Sequence, residues 1–394
     1  MAENTKLFTP LKVGSTPLDH RVVMAPLTRF RATADNVPTD VMARYYAQRA
    51  VVPGTLILSE ATFISAAAGG YANIPGLWTD AQLAGWRRVT DAVHAKGSKI
   101  WCQLWALGRA AWPDPEGSGG AVRNDDFDFA TQFVSASDVP MAAGLPAPRP
   151  LTEDEIQQFI RDYATAAKNA VEKGGFDGVE IHGAHGYLID QFTQDVSNKR
   201  TDAWGGSVEK RARFALEVTK AVVEAVGGPD KVGIRLSPYS NFQGMRMAED
   251  AIAPQFSYLI GGLREHKLAY LHLVEPRVAG VIDRDPKDES LFWALEKWGK
   301  EAPVFIAGGF TTEIAKQAVE EKYKGYEVAI VFGRRYISNP DLVYRVKKGI
   351  ELAPYDRFTF YINQKAGDKC EPGYIDYPYS EEYIKEFGKP AEAV

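Results

Sequence analysis

The 394-residue chain is predicted to adopt an α/β fold, one (β/α)8 TIM barrel over residues 1–394 with extended loops at its C-terminal face. Eight short apolar runs rich in β-branched residues point there, as do the segments of helical period between most of them. The chain also has no internal repeat and no linker that would divide it. The runs are Val22 to Leu27, Thr55 to Glu60, Lys99 to Trp105, Gly178 to His182, Val232 to Leu236, Ala269 to Val274, Val304 to Ala307 and Val328 to Phe332. The helical segments include Thr152 to Lys173, opened by the capping box Thr152-Glu-Asp-Glu155, and Ser207 to Val226. Strands that alternate with helices pair in parallel through right-handed crossovers, and eight such units close most simply into a barrel. An open doubly wound sheet is disfavoured, because no G-x-G-x-x-G follows any run. The nearest cluster, Gly117 to Gly120, stands in a Pro/Asp-rich stretch.

Composition narrows the partners. Hydrophobic residues at 45% and charged residues at 25% describe an ordinary globular chain and exclude disordered, collagen-like and coiled-coil readings. A formal net charge of −5, with no run of five basic residues, offers no footprint for nucleic acid or an anionic membrane surface. Cys102 and Cys370 cannot supply a disulfide framework or a cysteine zinc site. No stretch of about 18 uncharged apolar residues occurs and the start has no signal-peptide core, so a cytoplasmic protein is expected.

The strand ends carry the chemistry. Two connections, about 108 to 150 and 275 to 290, follow the third and sixth strands; in a barrel such segments lie on the face where sites form, as lids or substrate walls. In the third strand, period-2 alternation sets Trp101, Gln103 and Trp105 on one face and Ile100, Cys102 and Leu104 on the other. An amide and an indole facing the barrel mouth suit a planar ligand with hydrogen-bonding edges, the bland alternative being an internally satisfied polar residue. The fourth strand exits through Gly178-Val-Glu-Ile-His-Gly-Ala-His-Gly-Tyr187. Gly183 and Gly186 permit turns that let His182 and His185 converge as an oxyanion clamp on a carbonyl oxygen, with Tyr187 as a nearby acid. A core histidine pair and a zinc site are the rivals, and no third ligand has metal spacing. Arg235 shares an inward face with Gly233 and Ser237 and calls for an anion, an acceptor-rich ligand, or an ion pair with Glu180. The last two strands end in Gly308-Gly309 and Gly333-Arg334, where barrels commonly hold phosphate.

Taken in order, these segments resemble the old yellow enzyme family of FMN-dependent ene-reductases over nearly the whole chain. The resemblance runs from Leu7-Phe-Thr-Pro-Leu-Lys to Gly373-Tyr-Ile-Asp-Tyr-Pro. Between them stand Met24-Ala-Pro-Leu-Thr-Arg, Ser59-Glu-Ala-Thr, Gln103-Leu-Trp-Ala-Leu-Gly-Arg, His182-Gly-Ala-His-Gly-Tyr, Asp202-Ala-Trp-Gly-Gly-Ser-Val-Glu-Lys-Arg, Arg235-Leu-Ser-Pro, Ala307-Gly-Gly-Phe and Phe332-Gly-Arg. The segments Gln48-Arg-Ala-Val-Val-Pro-Gly-Thr and Leu151-Thr-Glu-Asp-Glu-Ile-Gln-Gln are similar to the fungal branch that includes the ergot-pathway aldehyde reductases.

The resemblance implies tightly but non-covalently bound FMN, with Pro26, Thr28, Ala61, Gln103, His182, Arg235 and Tyr361 around its ring and Gly308, Gly309, Gly333 and Arg334 on its phosphate. It implies NADPH or NADH as a transient reductant and an activated alkene, an α,β-unsaturated carbonyl or nitro compound, as substrate, reduced in a ping-pong cycle. Thr28, Tyr71, Trp105, His182, His185 and Tyr187 would meet the substrate, the two histidines on its electron-withdrawing oxygen and Tyr187 as proton donor to the α carbon. Many relatives carry asparagine where this chain has His185, which bears on substrate preference. Some relatives with phenylalanine in place of Tyr187 resemble isomerases more than net reductases. Missing dinucleotide-fold glycines agree with a nicotinamide that only visits the flavin. A homodimer is compatible with the sequence. Two other classes remain open: a phosphate-substrate aldolase or isomerase barrel, which usually needs an inward lysine or carboxylate pair, and a non-catalytic FMN-binding protein.

Overall fold

The computed structural model describes residues 5–112, 121–124, 126–279, 282–286, 289–363 and 371–390. Eight parallel strands close a barrel: β1 (Val22–Met24), β2 (Leu56–Leu58), β3 (Lys99–Trp105), β4 (Gly178–Gly183), β5 (Val232–Leu236), β6 (Tyr270–Val274), β7 (Val304–Ala307) and β8 (Val328–Phe332). Each pairs with its neighbours in chain order, and β8 with β1 closes the ring. All eight expected runs are strands. The first two are shorter than expected. Pro26, which has no N–H to donate, follows β1 closely, and the β2 run keeps single ladder bonds outside its strand, from Lys99 N–H to Thr55 C=O (2.8 Å) and from Ser59 N–H to Trp101 C=O (2.8 Å).

The long helices lie outside. Glu153–Glu172 starts at the expected capping box: Thr152 Oγ1 accepts from the Glu155 N–H (3.3 Å) and Glu155 Oε2 accepts from the Thr152 N–H (2.8 Å). Helix Val208–Ala225 packs beside it. Ile100, Cys102 and Leu104 of β3 pack outward into this helical layer, whereas Trp101 joins an inner cluster with Val23, Leu56, Leu58, Tyr270, Phe305 and Val331. An antiparallel hairpin, Leu11–Val13 with Thr16–Leu18, adds Leu11, Val13 and Leu18 to that inner cluster.

Above the apolar floor the barrel carries one polar layer. Glu180 Oε1 accepts from Gln103 Nε2 (2.8 Å), and Oε2 accepts from the Tyr270 hydroxyl (3.0 Å) and pairs with His272 Nδ1 (2.8 Å). Burial pushes the Glu180 carboxyl up, but His272, Arg235 and the Gln103 bond outweigh it and hold the group below its usual range. The expected Arg235–Glu180 alternative is therefore corrected: the Glu180 oxygens are taken up by Gln103, Tyr270 and His272, and Arg235 acts on it only through space. Gly233 makes this layer fit, because a Cβ there would lie 2.3 Å from Tyr270 Cζ, whose ring stacks on Phe305 at 4.0 Å. Gly233→Val is expected to cost roughly 1–3 kcal/mol or more by overpacking, read as a lower denaturant midpoint.

Candidate active site

At the C-terminal mouth of the barrel a cavity of about 410 Å³ opens over the Glu180 layer, within the range of small-molecule sites. Every residue that the sequence singled out for cofactor or substrate lines it. Pro26 and Thr28 come from the exit of β1, Ala61 from that of β2, Gln103 and Trp105 from β3, and Arg235 from β5. Gly308 and Gly309 follow β7, Gly333 and Arg334 follow β8, and Tyr71 and Tyr361 arrive on connecting segments. Of the two long connections, Val278 and Asp283 reach the cavity from a hairpin after β6, Val278–Ala279 with Ile282–Asp283. Gly117 to Gly120, Cys370 and parts of both connections lie outside the described residues.

The β4 exit behaves as the glycine spacing suggested, with one correction. Gly183 stays in the strand, and the left-handed turn is made by His185 itself (φ 56°) and Gly186 (φ 77°). The His185 N–H donates to Ser237 Oγ (2.8 Å), which fixes this costly conformation. The result sets the rings of His182 and His185 edge to face at 6.1 Å, with Tyr187 4.9 Å from His182 and 4.7 Å from Trp105. Trp105 lies nearly parallel to His182 (17°) and is backed by Phe63 and Tyr71.

Electrostatics set the protonation states. Burial first, then the Arg235 charge and the neighbouring imidazoles, push His182 and His185 well below the usual histidine range, so both rings are neutral at pH 7 and each brings one N–H. Burial, then Tyr71, raises Tyr187 well above the usual phenol range, so its hydroxyl keeps its proton. Among the described residues His182 Nδ1, His185 Nε2 and Arg235 Nε are buried without a partner. Buried polar atoms of this kind are costly unless a ligand satisfies them.

The far end of the cavity is cationic. Arg334 Nη2 contacts Asp283 Oδ1 (2.6 Å) and the guanidinium lies 5.7 Å from the Tyr355 ring, with Arg335 at 5.5 Å from the same ring. Gly309 keeps this end open: a Cβ there would lie 3.3 Å from Asp283 Oδ1 and 3.4 Å from Arg334 Nη2. Among the described residues that line the cavity there is no lysine. Sequence reasoning passed over Phe242, 6.4 Å from the His185 ring, and the interior His272. The glycine-ended segment Asn241-Phe-Gln-Gly244, a few residues beyond the end of β5, was the available signal for Phe242; His272, a single polar residue in an apolar run, gave none that set its role apart.

Residues 6–353 match the NADH:flavin oxidoreductase / NADH oxidase family. The chain belongs to the old yellow enzyme family, in its fungal branch. It is similar to a chanoclavine-I aldehyde reductase of Penicillium roqueforti, with 55% identity over 381 residues covering 97% of this chain and 98% of the relative. A probable inactive reductase of Epichloe festucae var. lolii is 50% identical over 393 residues, covering 98% of both chains. The crystal structure of Old Yellow Enzyme from Pichia sp. AKU4542 superposes with a TM-score of 0.83 at 38% identity, covering 99% of this chain and 96% of that one. This old yellow enzyme family member is an oxidoreductase, and its cofactor is non-covalently bound FMN. The cavity fits that group: unpartnered donors and a guanidinium lie towards one end, a glycine-lined cation at the other, and aromatic walls between them. Tyr361 falls beyond the matched residues, yet it reaches the cavity edge-on to Phe30 at 5.7 Å. No described helix is long and apolar enough to cross a membrane.

Proposed function

We propose that this oxidoreductase is an ene-reductase that uses NADPH or NADH to reduce activated C=C bonds of α,β-unsaturated carbonyl or nitro compounds. One observation carries the reading: two neutral imidazoles with unpartnered nitrogens and a protonated tyrosine converge on one aromatic-walled cavity. A relative named a probable inactive reductase is 50% identical, so these side chains, rather than overall similarity, support the activity. The aldehyde-reductase name of the Penicillium roqueforti protein supports a carbonyl substrate class.

Bound FMN supplies the relay by which a nicotinamide's hydride equivalent reaches an electron-poor alkene. Gly308, Gly309, Gly333 and Arg334 would hold its phosphate, Gln103 and Arg235 its pyrimidine edge, and Pro26, Thr28, Ala61, His182 and Tyr361 its ring. Arg235 favours negative charge beside it. Gln103 is held in place by Glu180, which takes one of its amide hydrogens. His182 and His185 donate to the substrate's carbonyl or nitro oxygen and bind more strongly as negative charge gathers there, which is the condition for acceleration. Thr28, Tyr71 and Trp105 confine the substrate, and Tyr187 Oη gives its proton to the α carbon. We assign the protein to the cytoplasm, with a homodimer as its assembly.

Purified protein is expected to be yellow and to release FMN, not FAD, on heating. NADPH should bleach it anaerobically and 2-cyclohexenone should restore the colour. A colourless protein that takes up no added FMN refutes the cofactor site; a yellow one that 2-cyclohexenone leaves bleached is a flavin-binding protein without this activity.

A further inference from the structure

The chain leaving β1 divides its side chains between two directions. Pro26, Leu27, Thr28 and Phe30 line the cavity. Arg29 and Arg31, on either side of Phe30, turn away from it and are fully buried. A guanidinium keeps its charge, so burying two of them is costly unless acceptors surround them. Here the acceptors are main-chain carbonyls of one segment. The Thr359 C=O accepts from Arg29 Nη2 (3.2 Å) and Arg31 Nη2 (3.2 Å), and the Phe360 C=O accepts from Arg29 Nε (2.9 Å) and Arg31 Nη1 (3.1 Å).

The same two guanidiniums hold a second stretch of chain against the first. Arg29 Nη2 donates to the Gly373 C=O (2.7 Å) and Arg31 Nη2 to the Pro372 C=O (3.4 Å). The two stretches touch, since a Cβ on Gly373, whose φ is 64°, would lie 2.1 Å from Thr359 Cβ. Ring faces complete the enclosure: Tyr374 lies 5.0 Å from the Arg29 guanidinium and 4.7 Å from that of Arg31, and it stacks on Tyr45 at 4.1 Å. Tyr361 follows directly on the two doubly held carbonyls and lines the cavity, edge-on to Phe360 at 6.1 Å and to Phe30 at 5.7 Å. Charge-assisted bonds on two consecutive peptide units thus end where the aromatic wall begins. The matched family residues stop at 353, so this wall is carried by chain beyond them.

We propose that Arg29 and Arg31 are positioning residues for the flavin ring: their donors on the carbonyls of Thr359 and Phe360 hold Tyr361 in place as a wall of the cofactor site. The inference rests on the place proposed for Tyr361 beside that ring. A planar guanidinium presents its donors in a fixed fork, so two forks meeting on two adjacent carbonyls restrict how those peptide units can turn. An aromatic side chain fixed in this way meets a ring already ordered, whereas a loose one must be ordered as the ring binds. A lysine ammonium keeps the charge but not the fork, which separates position from electrostatics.

The test dilutes holoenzyme and follows release of FMN by the rise in free-flavin fluorescence, in Arg29→Lys, Arg31→Lys, Tyr361→Ala and each lysine variant combined with Tyr361→Ala. Either lysine variant, and Tyr361→Ala, is expected to release FMN about tenfold faster than wild type, the scale of one aromatic contact. In the Tyr361→Ala background the lysine substitutions should have no further effect, because the side chain through which they act is gone. Gly373→Ala pushes on Thr359 from the other side and leaves both guanidiniums in place. It should reproduce the same pattern, and it decides the matter if the lysine variants do not fold. A clamp that served the fold alone would speed release by the same factor in both backgrounds, and that result overturns the proposal. Release at the wild-type rate from both lysine variants overturns it as well, since charge without the fork would then suffice. If Tyr361→Ala itself holds FMN as firmly as wild type, the place given to Tyr361 falls first and this inference with it.

Discussion

Tyr187→Phe is expected to slow reoxidation by 2-cyclohexenone by roughly 10²- to 10⁴-fold while reduction of the enzyme by NADPH proceeds at the wild-type rate. The ring contacts with Trp105 (4.7 Å) and His182 (4.9 Å) need no hydroxyl, so phenylalanine keeps the wall and loses only the proton. Burial holds that proton on Oη well above the usual phenol range, so the donor carries its proton at neutral pH. No proton is delivered to a nicotinamide when it gives up hydride, so the first half-reaction makes no demand on Tyr187. Stopped-flow traces of the two half-reactions separate these effects. Equal slowing of both would mean that the substitution had disturbed the cavity as a whole, and the proton-donor role would be abandoned.

How far these roles were readable beforehand depends on which force sets each feature. The barrel was legible because its strands are buried on both faces and read as apolar runs, each separated by enough chain for a crossover helix. The site was legible because chemistry at a barrel mouth falls at strand ends, where Gln103, His182, Arg235 and Gly333-Arg334 interrupt those runs. His272 interrupts β6 in the same way and stands in register with Arg235, yet its ring pairs with Glu180 and it is not among the residues that line the cavity; only the side-chain contacts tell the two cases apart. The ion pair with Glu180 that stood as the alternative for Arg235 does not form, since Gln103, Tyr270 and His272 take up the Glu180 oxygens.

His185→Leu tests the other half of the site. Leucine fills much of the ring's volume and retains the contact surface towards Phe242, but supplies no donor. By comparison with the loss of one oxyanion-hole donor, kcat/KM for 2-cyclohexenone should fall by about 2.7–4 kcal/mol, or roughly 10²- to 10³-fold, and p-hydroxybenzaldehyde should bind more weakly. The pH dependence of phenol binding to the unaltered protein adds an independent check. An imidazole with an ordinary pKa near 6.5 would be a cation at pH 5.5 and neutral at pH 7.5, and affinity for a phenolate would fall as that charge was lost. Burial and the Arg235 charge hold both rings well below that range, so they are already neutral and affinity should show no such fall between pH 6 and 8. Ionisation of the phenol itself should be the only titration, raising affinity as pH rises, because two N–H donors and a nearby guanidinium favour the anion. A decline in affinity centred near pH 6.5 would show that a charged imidazole, and not a neutral pair, holds the ligand oxygen.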